Sequence, residues 1–591
     1  MPRRILLKES GLTGSPPPGF KFIGFDDSKL SDLDSSGNIT NIGGDSSYIN
    51  IRDYGAIGDG VNDDSDAFTA AIQSANGRTI YAPAGTYKMG NSGLASSLIN
   101  TTNDLSLMGD GPSTLFDFTG PFLGGYAIKV SGTASQIESL SGTQSKGSLT
   151  VTFDSAPSLS IGDVFVIFNP ATSSFSGFRS YYYAGEWCEV DEITGNTVKL
   201  KNRLYDTYYA DDVEVYKITS PNVYLRDFAI AGATTEGLIW TNFCISPKFE
   251  NITATHQNNS ALFISRCFKP LSINLNINNK GDGGDDYGIA ITNTQHSKVI
   301  GGNFYARRHS IAHGGGPGIC STPVRDSRII GATLKNDSGS IVHNADFHGN
   351  AEDCSFIDCT IYGGATFQGK DIKYDNCTIY DFNGICIYSG EILGGYHEAS
   401  NCKFITYQNP QLNTRGIIDF GGNSETCITG DTILDSTIII RNSTLYGRNL
   451  GSLTSFVIIR NRGSLKKINA IVENIVMDVD DLKVVLLTDV ISGIADSDYM
   501  IVNNIVGQPE DVIIHNSYQY ASFPHITQNS YNLISTPNTT IGIFFSGIGS
   551  PEGSVTASVG TLYTDTNGGS SSFWVKTNGV GNTGWSNATL T

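Results

Sequence analysis

"INIRDYGAIGDGVNDDSDAFTAAIQSANGRTIYAPAGTYKMG", residues 49–90, carries one compact helical pattern in a chain that otherwise reads as short strands and turns. Asp63 and Asp64 stand where a helix start needs side-chain acceptors for its free N–H groups. Ala67, Phe68, Ala71, Ile72 and Ala75 follow at helical spacing and predict one apolar face over residues 64–75. Asn76-Gly77 stops the helix, because both residue types accept left-handed backbone. TIYAPAGTYKM then resumes as a strand.

Working outward, the 591 residues are too many for one simple core, so several domains or one elongated repeat domain are expected. Charged residues make up only 16%, and 67 glycines are spread along the chain, which favours many short strands joined by turns. A net charge of −19 argues against nucleic acid, whose phosphates need a basic surface, and against an anionic membrane. No stretch has the length of a membrane-spanning helix. The opening MPRRILLKESGLTG has too short an apolar run for a secretory signal, so synthesis in a reducing cytoplasm is expected. The ten cysteines include no CxxC pair, which argues against a zinc ribbon.

A weak repeat starts near residue 222. NVYLRDFAIAG, KFENITATHQN, LSINLNINNK, SKVIGGNFYA, SRIIGATLKN, CSFIDCTIYGG, IKYDNCTIYD, EASNCKFITY and IIIRNSTLYG align with Phe228, Ile252, Leu275, Gly302, Ala332, Cys359, Cys377, Cys402 and Ser443 in one column. Most spacings lie between 18 and 30 residues, with 41 before Ser443. Short alternating strands with Gly/Asn turns at that period predict a parallel β-helix, each coil stacked on the last. Cys359, Cys377 and Cys402 then form a buried ladder of small apolar side chains. The first coil of such a solenoid exposes unpaired backbone and an apolar cross-section. The helix at 64–75 is suited to cover it.

The expected organisation is a leader at 1–48, a β-helix at 49–505 interrupted by a small β insertion at 137–218, a connector at 506–548 and a C-terminal β module at 549–591. The leader is rich in Pro, Ser, Gly and Asp and reads as a tether or docking peptide. Tyr181, Tyr182, Tyr183 and Trp187 of the insertion have two readings: stacking on sugar rings, or packing against the β-helix or a neighbouring subunit.

The stretch DYGAIGDGVNDDSDAF…AI…IYAPAGTY resembles the N-terminal signature of the pectate-lyase-like superfamily of right-handed β-helices, which includes the tailspikes and tail fibres of bacteriophages. YYYAGEWCEVDEITGNTVKL and the C-terminal SPEGSVTASVGTLYTDTNGGSSSFWVKTNGVGNTGW are also similar to segments of phage tail proteins. The resemblance implies an all-β homotrimeric virion protein, attached to the phage tail or baseplate through its N-terminus. It implies binding, and often cleavage, of a bacterial surface polysaccharide. The calcium carboxylates of pectate lyases and the aspartate motif of polygalacturonases are not matched, so neither activity transfers.

The candidate site comes from the residues themselves. SIAHG, ADFHG, ATFQG, CIYSG and IIDFG align Ala312, Phe347 and Phe367 in one column and His313, His348 and Gln368 in the next. With the Phe column facing the core, His313 and His348 face out about 4.8 Å apart. Asp346 and His309 share that face, with Arg307 and Arg308 just upstream. A histidine oriented by a carboxylate is a general base, and an arginine binds an acidic sugar's carboxylate. His313, Asp346, His348, Arg308 and His309 are therefore the catalytic candidates, and Arg307 with Tyr181, Tyr182, Tyr183 and Trp187 the substrate-binding ones. A structural polar ladder and a metal site are the other readings of the same histidines. β-Elimination uses a base and a cation, whereas hydrolysis needs two carboxylates, for which Asp419 or the cluster Asp282, Asp285, Asp286 is available beside Asp346. That cluster makes calcium the one ion to consider, although it lacks the EF-hand pattern and reads more simply as a solvated turn. No cofactor is required. A polysaccharide depolymerase and a non-enzymatic adhesin on the same scaffold are the two functional classes, and a secreted pectin-type enzyme is disfavoured by the missing signal sequence.

Overall fold

The computed structural model describes residues 48–90, 99–119, 125–232, 236–256, 259–279, 286–336, 343–407, 416–420, 435–448, 455–461 and 467–479, with shorter pieces before residue 42, at 423–424 and after residue 483. The repeat folds as a right-handed parallel β-helix. One wall is a sheet of 13 parallel strands, running from Ile99–Thr101 through Gly237–Asn242, Ser260–Ser265, Tyr287–Thr292, His309–Gly314 and Ala345–Phe347 to Ile514–Asn516. The remaining strands pair coil to coil in the same parallel sense, as Val223–Gly232 does with Lys248–His256.

The aligned column lies inside. Phe228 pairs with Ile252, and the registers Thr253↔Asn276, Asn276↔Asn303, Asn303↔Thr333, Thr333↔Thr360, Thr360↔Thr378, Thr378↔Lys403 and Lys403↔Thr444 carry it on to Ser443. Cys359, Cys377 and Cys402 stack on successive coils and are almost fully buried. The nine described cysteines are free thiols. Burial pushes the Cys354 thiol up to about 12, so it is inert as a nucleophile at neutral pH.

The residue before each column member makes the corner. Asp227, Asn251, Asn274, Gly301, Gly331, Asp358, Asn376, Asn401 and Asn442 all have positive φ. Asn, Asp and Gly take that conformation at low cost, and the side chains then bond along the stack. Asn251 Nδ2 donates to Asp227 Oδ1 at 2.8 Å, Asn274 Nδ2 to Asn251 Oδ1 at 2.9 Å, and Asn376 Nδ2 to Asp358 Oδ1 at 2.7 Å.

The helix Ser65–Ala75 sits at the start of the stack, with Ala67, Phe68, Ala71 and Ala75 buried and Ile72 partly so. Phe68 meets Phe116 edge-on at 5.0 Å, and Phe116 meets Phe228 at 5.1 Å, so the helix closes directly onto the core of the first coils. Asp63 Oδ1 accepts the Ser65 N–H. Asp64 does not cap the helix: its carboxylate turns back to accept the N–H groups of Ile57 and Gly58 and fixes the preceding loop.

The insertion is an antiparallel sheet from Thr133–Gln136 to Glu214–Thr219 with its own core of Val151, Phe153, Phe165, Ile167, Val190 and Val198. Trp187 stacks on Phe268 of the β-helix at 6.1 Å. Arg325, fully buried, ties the two together: Nη1 donates to Gly185 O at 2.6 Å, Nε to Glu352 at 2.7 Å, and Nη2 pairs with Asp206. At the ends, four leader strands between Arg4 and Asn41 form a sheet of their own. Ile514–Asn516 and His525–Asn529 pair in parallel with the strands before them, so the coil ladders run into the stretch expected as a connector. These strands are too short for their alternation to stand out in sequence. Four strands from Phe544–Gly547 to Trp585–Asn587 make the C-terminal sheet. Among the described residues no helix is long and apolar enough to cross a membrane.

Candidate functional site

The outer face of the 13-stranded wall carries the candidate residues. Its register places Phe263, Ala290, Ala312 and Asp346 in one outward column. Tyr287 pairs with His309, and pairing then skips to Ile289 and Ile311. That irregularity turns Tyr287 and His309 outward although Ile289 and Ile311, two residues on, are in the core.

His313 is corrected by the same register. It pairs with Phe347, not with His348, and points inward. Its ring stacks on Phe347 at 4.6 Å, Nε2 meets Ser327 Oγ at 2.8 Å and Nδ1 the Asp346 carbonyl at 3.2 Å. Burial drives its pKa down to about 4, so it is a neutral core histidine. His348 instead lies opposite Gly314, where a Cβ would come within 3.2 Å of its Cδ2. The glycine makes room for the imidazole.

Asp346 is the centre of the cluster. Its Oδ2 lies 3.0 Å from His348 Nε2 and 3.5 Å from His309 Nε2. His309 is held from behind, with Nδ1 2.5 Å from the His343 carbonyl and its ring stacked on Tyr287 at 5.5 Å. On the far side of His348, Nδ1 lies 3.4 Å from Arg179 Nη2 and 3.9 Å from Glu391 Oε2. Arg179 pairs with Glu391 at 3.2 Å and donates to the Tyr181 hydroxyl at 3.0 Å. Ser176 Oγ donates to Gly349 O at 2.9 Å and pins the insertion loop beside the site.

Burial opposes charge on Asp346, but the facing imidazoles of His309 and His348 win and hold its carboxyl well below the usual carboxylate range. Burial likewise pulls the His348 pKa down, and the Asp346 and Glu391 carboxylates more than reverse this, leaving it raised. His309 is more deeply enclosed, and burial keeps its pKa lowered despite Asp346. Of the two imidazoles facing Asp346, His348 therefore holds a proton more readily than His309.

His348 opens into a cleft of about 340 Å³ lined by Arg179, Tyr181, Tyr126, Phe263, Tyr287, Ser260, Ala290, Ala312 and Gly314, among others. No described residue lining it is Asp or Glu. Among the described residues no group of three His, Cys, Asp or Glu side chains could hold a metal ion. Asp282 and Asp285 lie outside the described residues, and Asp286 is buried. Asp419 shares the outward column but sits three coils beyond Asp346, through Thr366 and Tyr388.

Of the other expected residues, Tyr181 lines the cleft. Tyr182 is buried under the Arg179 guanidinium and Trp187 is buried on Phe268 of the β-helix, so neither presents a ring face to a sugar, while Tyr183 is half-buried and packs edge-on against Phe168 within the insertion. Arg308 lies 5.5 Å over the Tyr287 ring at the rim of the cluster, and Arg307 is half-buried in the turn before it. Arg179 and Glu391 were not foreseen. The sole signal was Arg179 standing beside the tyrosine run.

Sequence profiles of known families match three stretches: "Gp49, pectin lyase-like" residues 256–511, "Tailspike protein-like, Ig-like domain" residues 129–218, and "Rhamnogalacturonase A/epimerase, pectate lyase-like" residues 48–152. Among solved structures, the tailspike protein gp49 from Pseudomonas phage LKA1 is 36% identical with a TM-score of 0.73, over 78% of this chain and 81% of that one. Tailspike gp61 of Pseudomonas phage phi297 is 25% identical with a TM-score of 0.69, over 80% and 84%. The gp54 tailspike of Acinetobacter baumannii bacteriophage AP22, solved with A. baumannii capsular saccharide, is 23% identical with a TM-score of 0.69, over 84% and 81%, and supports the fold alone. A curated relative, mannuronan C5-epimerase AlgE1 of Azotobacter vinelandii, is 51% identical over 43 residues, which is 7% of this chain and 3% of the epimerase. The chain thus spans only a few per cent of the curated relatives it matches.

Proposed function

The chain belongs to the phage tailspike proteins with a pectate-lyase-like β-helix, and from that premise we propose that it binds an acidic bacterial surface polysaccharide and cleaves it by β-elimination at the His348 end of the cleft. One observation carries the reading: His348 stands between Asp346, whose Oδ2 is 3.0 Å from Nε2, and Arg179, whose Nη2 is 3.4 Å from Nδ1, in a cleft with no described carboxylate in its lining.

Elimination from a uronate needs three things: a cation on the sugar carboxylate, a base for the C5 proton, and a proton for the leaving glycosidic oxygen. Arg179 supplies the cation. The neutral form of His348 takes the proton on Nδ1, and Asp346 stabilises the imidazolium that results. The Tyr181 hydroxyl accepts from Arg179, so its own proton is free for the leaving oxygen. Hydrolysis would need two carboxylates roughly 5–10 Å apart across the bond. Asp346 is ionised between two imidazoles and has no proton to give. Glu391, the carboxylate across the His348 ring from Asp346, is paired with Arg179 at 3.2 Å and does not line the cleft. Asp419 is three strand spacings away, about 14 Å. A raised His348 pKa makes the rate climb with pH through a value above that of an ordinary histidine.

The same reading makes the active form a homotrimer carried on the virion, with the leader at residues 1–48 joining it to the tail or baseplate; kinship with tailspikes is the support. The test is incubation of the purified full chain with host capsular or lipopolysaccharide glycan. Rising ultraviolet absorbance from an unsaturated uronate, lost in His348→Gln, is the expected result. New reducing ends without that absorbance mean hydrolysis. Binding without either leaves a non-enzymatic adhesin.

A further inference from the structure

The cleft does not stop at His348. It runs along the solenoid axis to an aromatic shelf, where the Tyr126 ring stacks on Trp240 at 5.5 Å and on Phe263 at 6.2 Å. Lys129 Nζ lies 4.4 Å from the Trp240 ring centre. Phe263 is half-buried and faces the cleft. Between shelf and His348 the floor is Ala290 and Ala312, whose small side chains leave a trough. Tyr287 is not available as a second platform, because His309 occupies its face.

We infer that Phe263, backed by the buried Tyr126 ring, is a remote substrate subsite that stacks on a sugar of the same acidic glycan, so that the chain lies along the β-helix axis and short fragments are poor substrates. The inference rests on the polysaccharide reading above. Phe263 pairs with Ala290, Ala290 with Ala312 and Ala312 with Asp346, three strand spacings or about 14 Å. A pyranose in an extended chain is close to one such spacing in length. The sugar on the shelf is therefore the third from the one at His348, and four or more residues are needed to hold both ends. Aromatic rings suit sugar faces, which present an apolar surface of C–H groups. Lys129 beside the shelf and Arg179 at the other end match a polymer bearing repeated carboxylates.

Size-fractionated fragments of the host polysaccharide and the Phe263→Ala and Phe263→Tyr variants test this. The wild type should cleave fragments of four or more residues with much lower KM than shorter ones. Phe263→Ala should raise KM for the long fragments about tenfold with kcat little changed, and remove the preference for length. Phe263→Tyr should restore it. Cleavage by the wild type with KM unaltered in Phe263→Ala overturns the shelf and leaves the elimination reading standing. Should the wild type bind without cleaving, the same comparison is made on Kd: tenfold weakening keeps the shelf and removes the elimination, and no weakening removes both. Neither binding nor cleavage overturns both.

Discussion

Replacing Asp346 by Asn keeps the size of the side chain and deletes the one charge on which the proposed chemistry turns. The carboxylate lies 3.0 Å from His348 Nε2 and is almost wholly buried. Unit charges at that distance attract by about 5 kcal/mol at an effective dielectric near 20. Burial of the imidazole works against this, and the pair of carboxylates prevails. In Asp346→Asn only Glu391, 3.9 Å away, still opposes burial, so the His348 pKa falls below its ordinary value. The amide can also donate to Nε2, which places the His348 proton on Nδ1 and blocks the base. Loss of orientation and of imidazolium stabilisation together should lower kcat about 10²- to 10⁴-fold. Initial rates of unsaturated-product formation, measured from about pH 5 to 9, should show the residual activity with its acid limb displaced to lower pH. Thermal melts supply the control. The Asp346 carboxyl titrates below an unfolded aspartate's, so it stabilises the fold at neutral pH and that stabilisation is lost as pH falls below about 4. The variant should melt earlier at neutral pH yet lose less on acidification. Plateau activity within about threefold of the wild type, with the acid limb unmoved, would remove Asp346 and the His348 base from the chemistry.

His313→Leu should behave oppositely. A core histidine with a pKa near 4, against about 6.5 when unfolded, contributes stability that is complete above pH 6.5 and fades as the pH drops towards 4, by about 3 kcal/mol in all. The leucine variant should therefore show a flatter melting temperature between those pH values and an unchanged pH–rate profile; a displaced rate profile would restore His313 to the site. Arg325→Met should leave Asp206 buried without its cation, while Lys370 still holds Glu352 at 2.8 Å. A local cost of about 3–5 kcal/mol is expected. Calorimetry should show an earlier transition, with cleavage reduced because the insertion carries Arg179; an unaltered first transition would mean that Arg325 does not dock the insertion.

The sequence by itself determined the architecture. Alternation fixed which strand residues face in, and the Asn, Asp or Gly before Phe228, Ile252, Leu275, Gly302, Ala332, Cys359, Cys377, Cys402 and Ser443 marked the corner that sets each coil. Those signals are local and repeated, so the column could be aligned without coordinates. The apolar face at 67–75 was legible for the same reason. The gathering of Asp346, His348 and His309 on one face was legible too. Only the tertiary structure decided the rest. The segment between His313 and Asp346 is long, and a slip of one residue across it exchanges the inner and outer faces. The alignment on the shared glycine made that slip, which put a core histidine on the surface. Arg179 reaches His348 from 169 residues away and Glu391 from 212 residues beyond Arg179. Such contacts depend on where the insertion docks, which Arg325 and Trp187 govern through buried packing, and no periodicity in the chain encodes that placement.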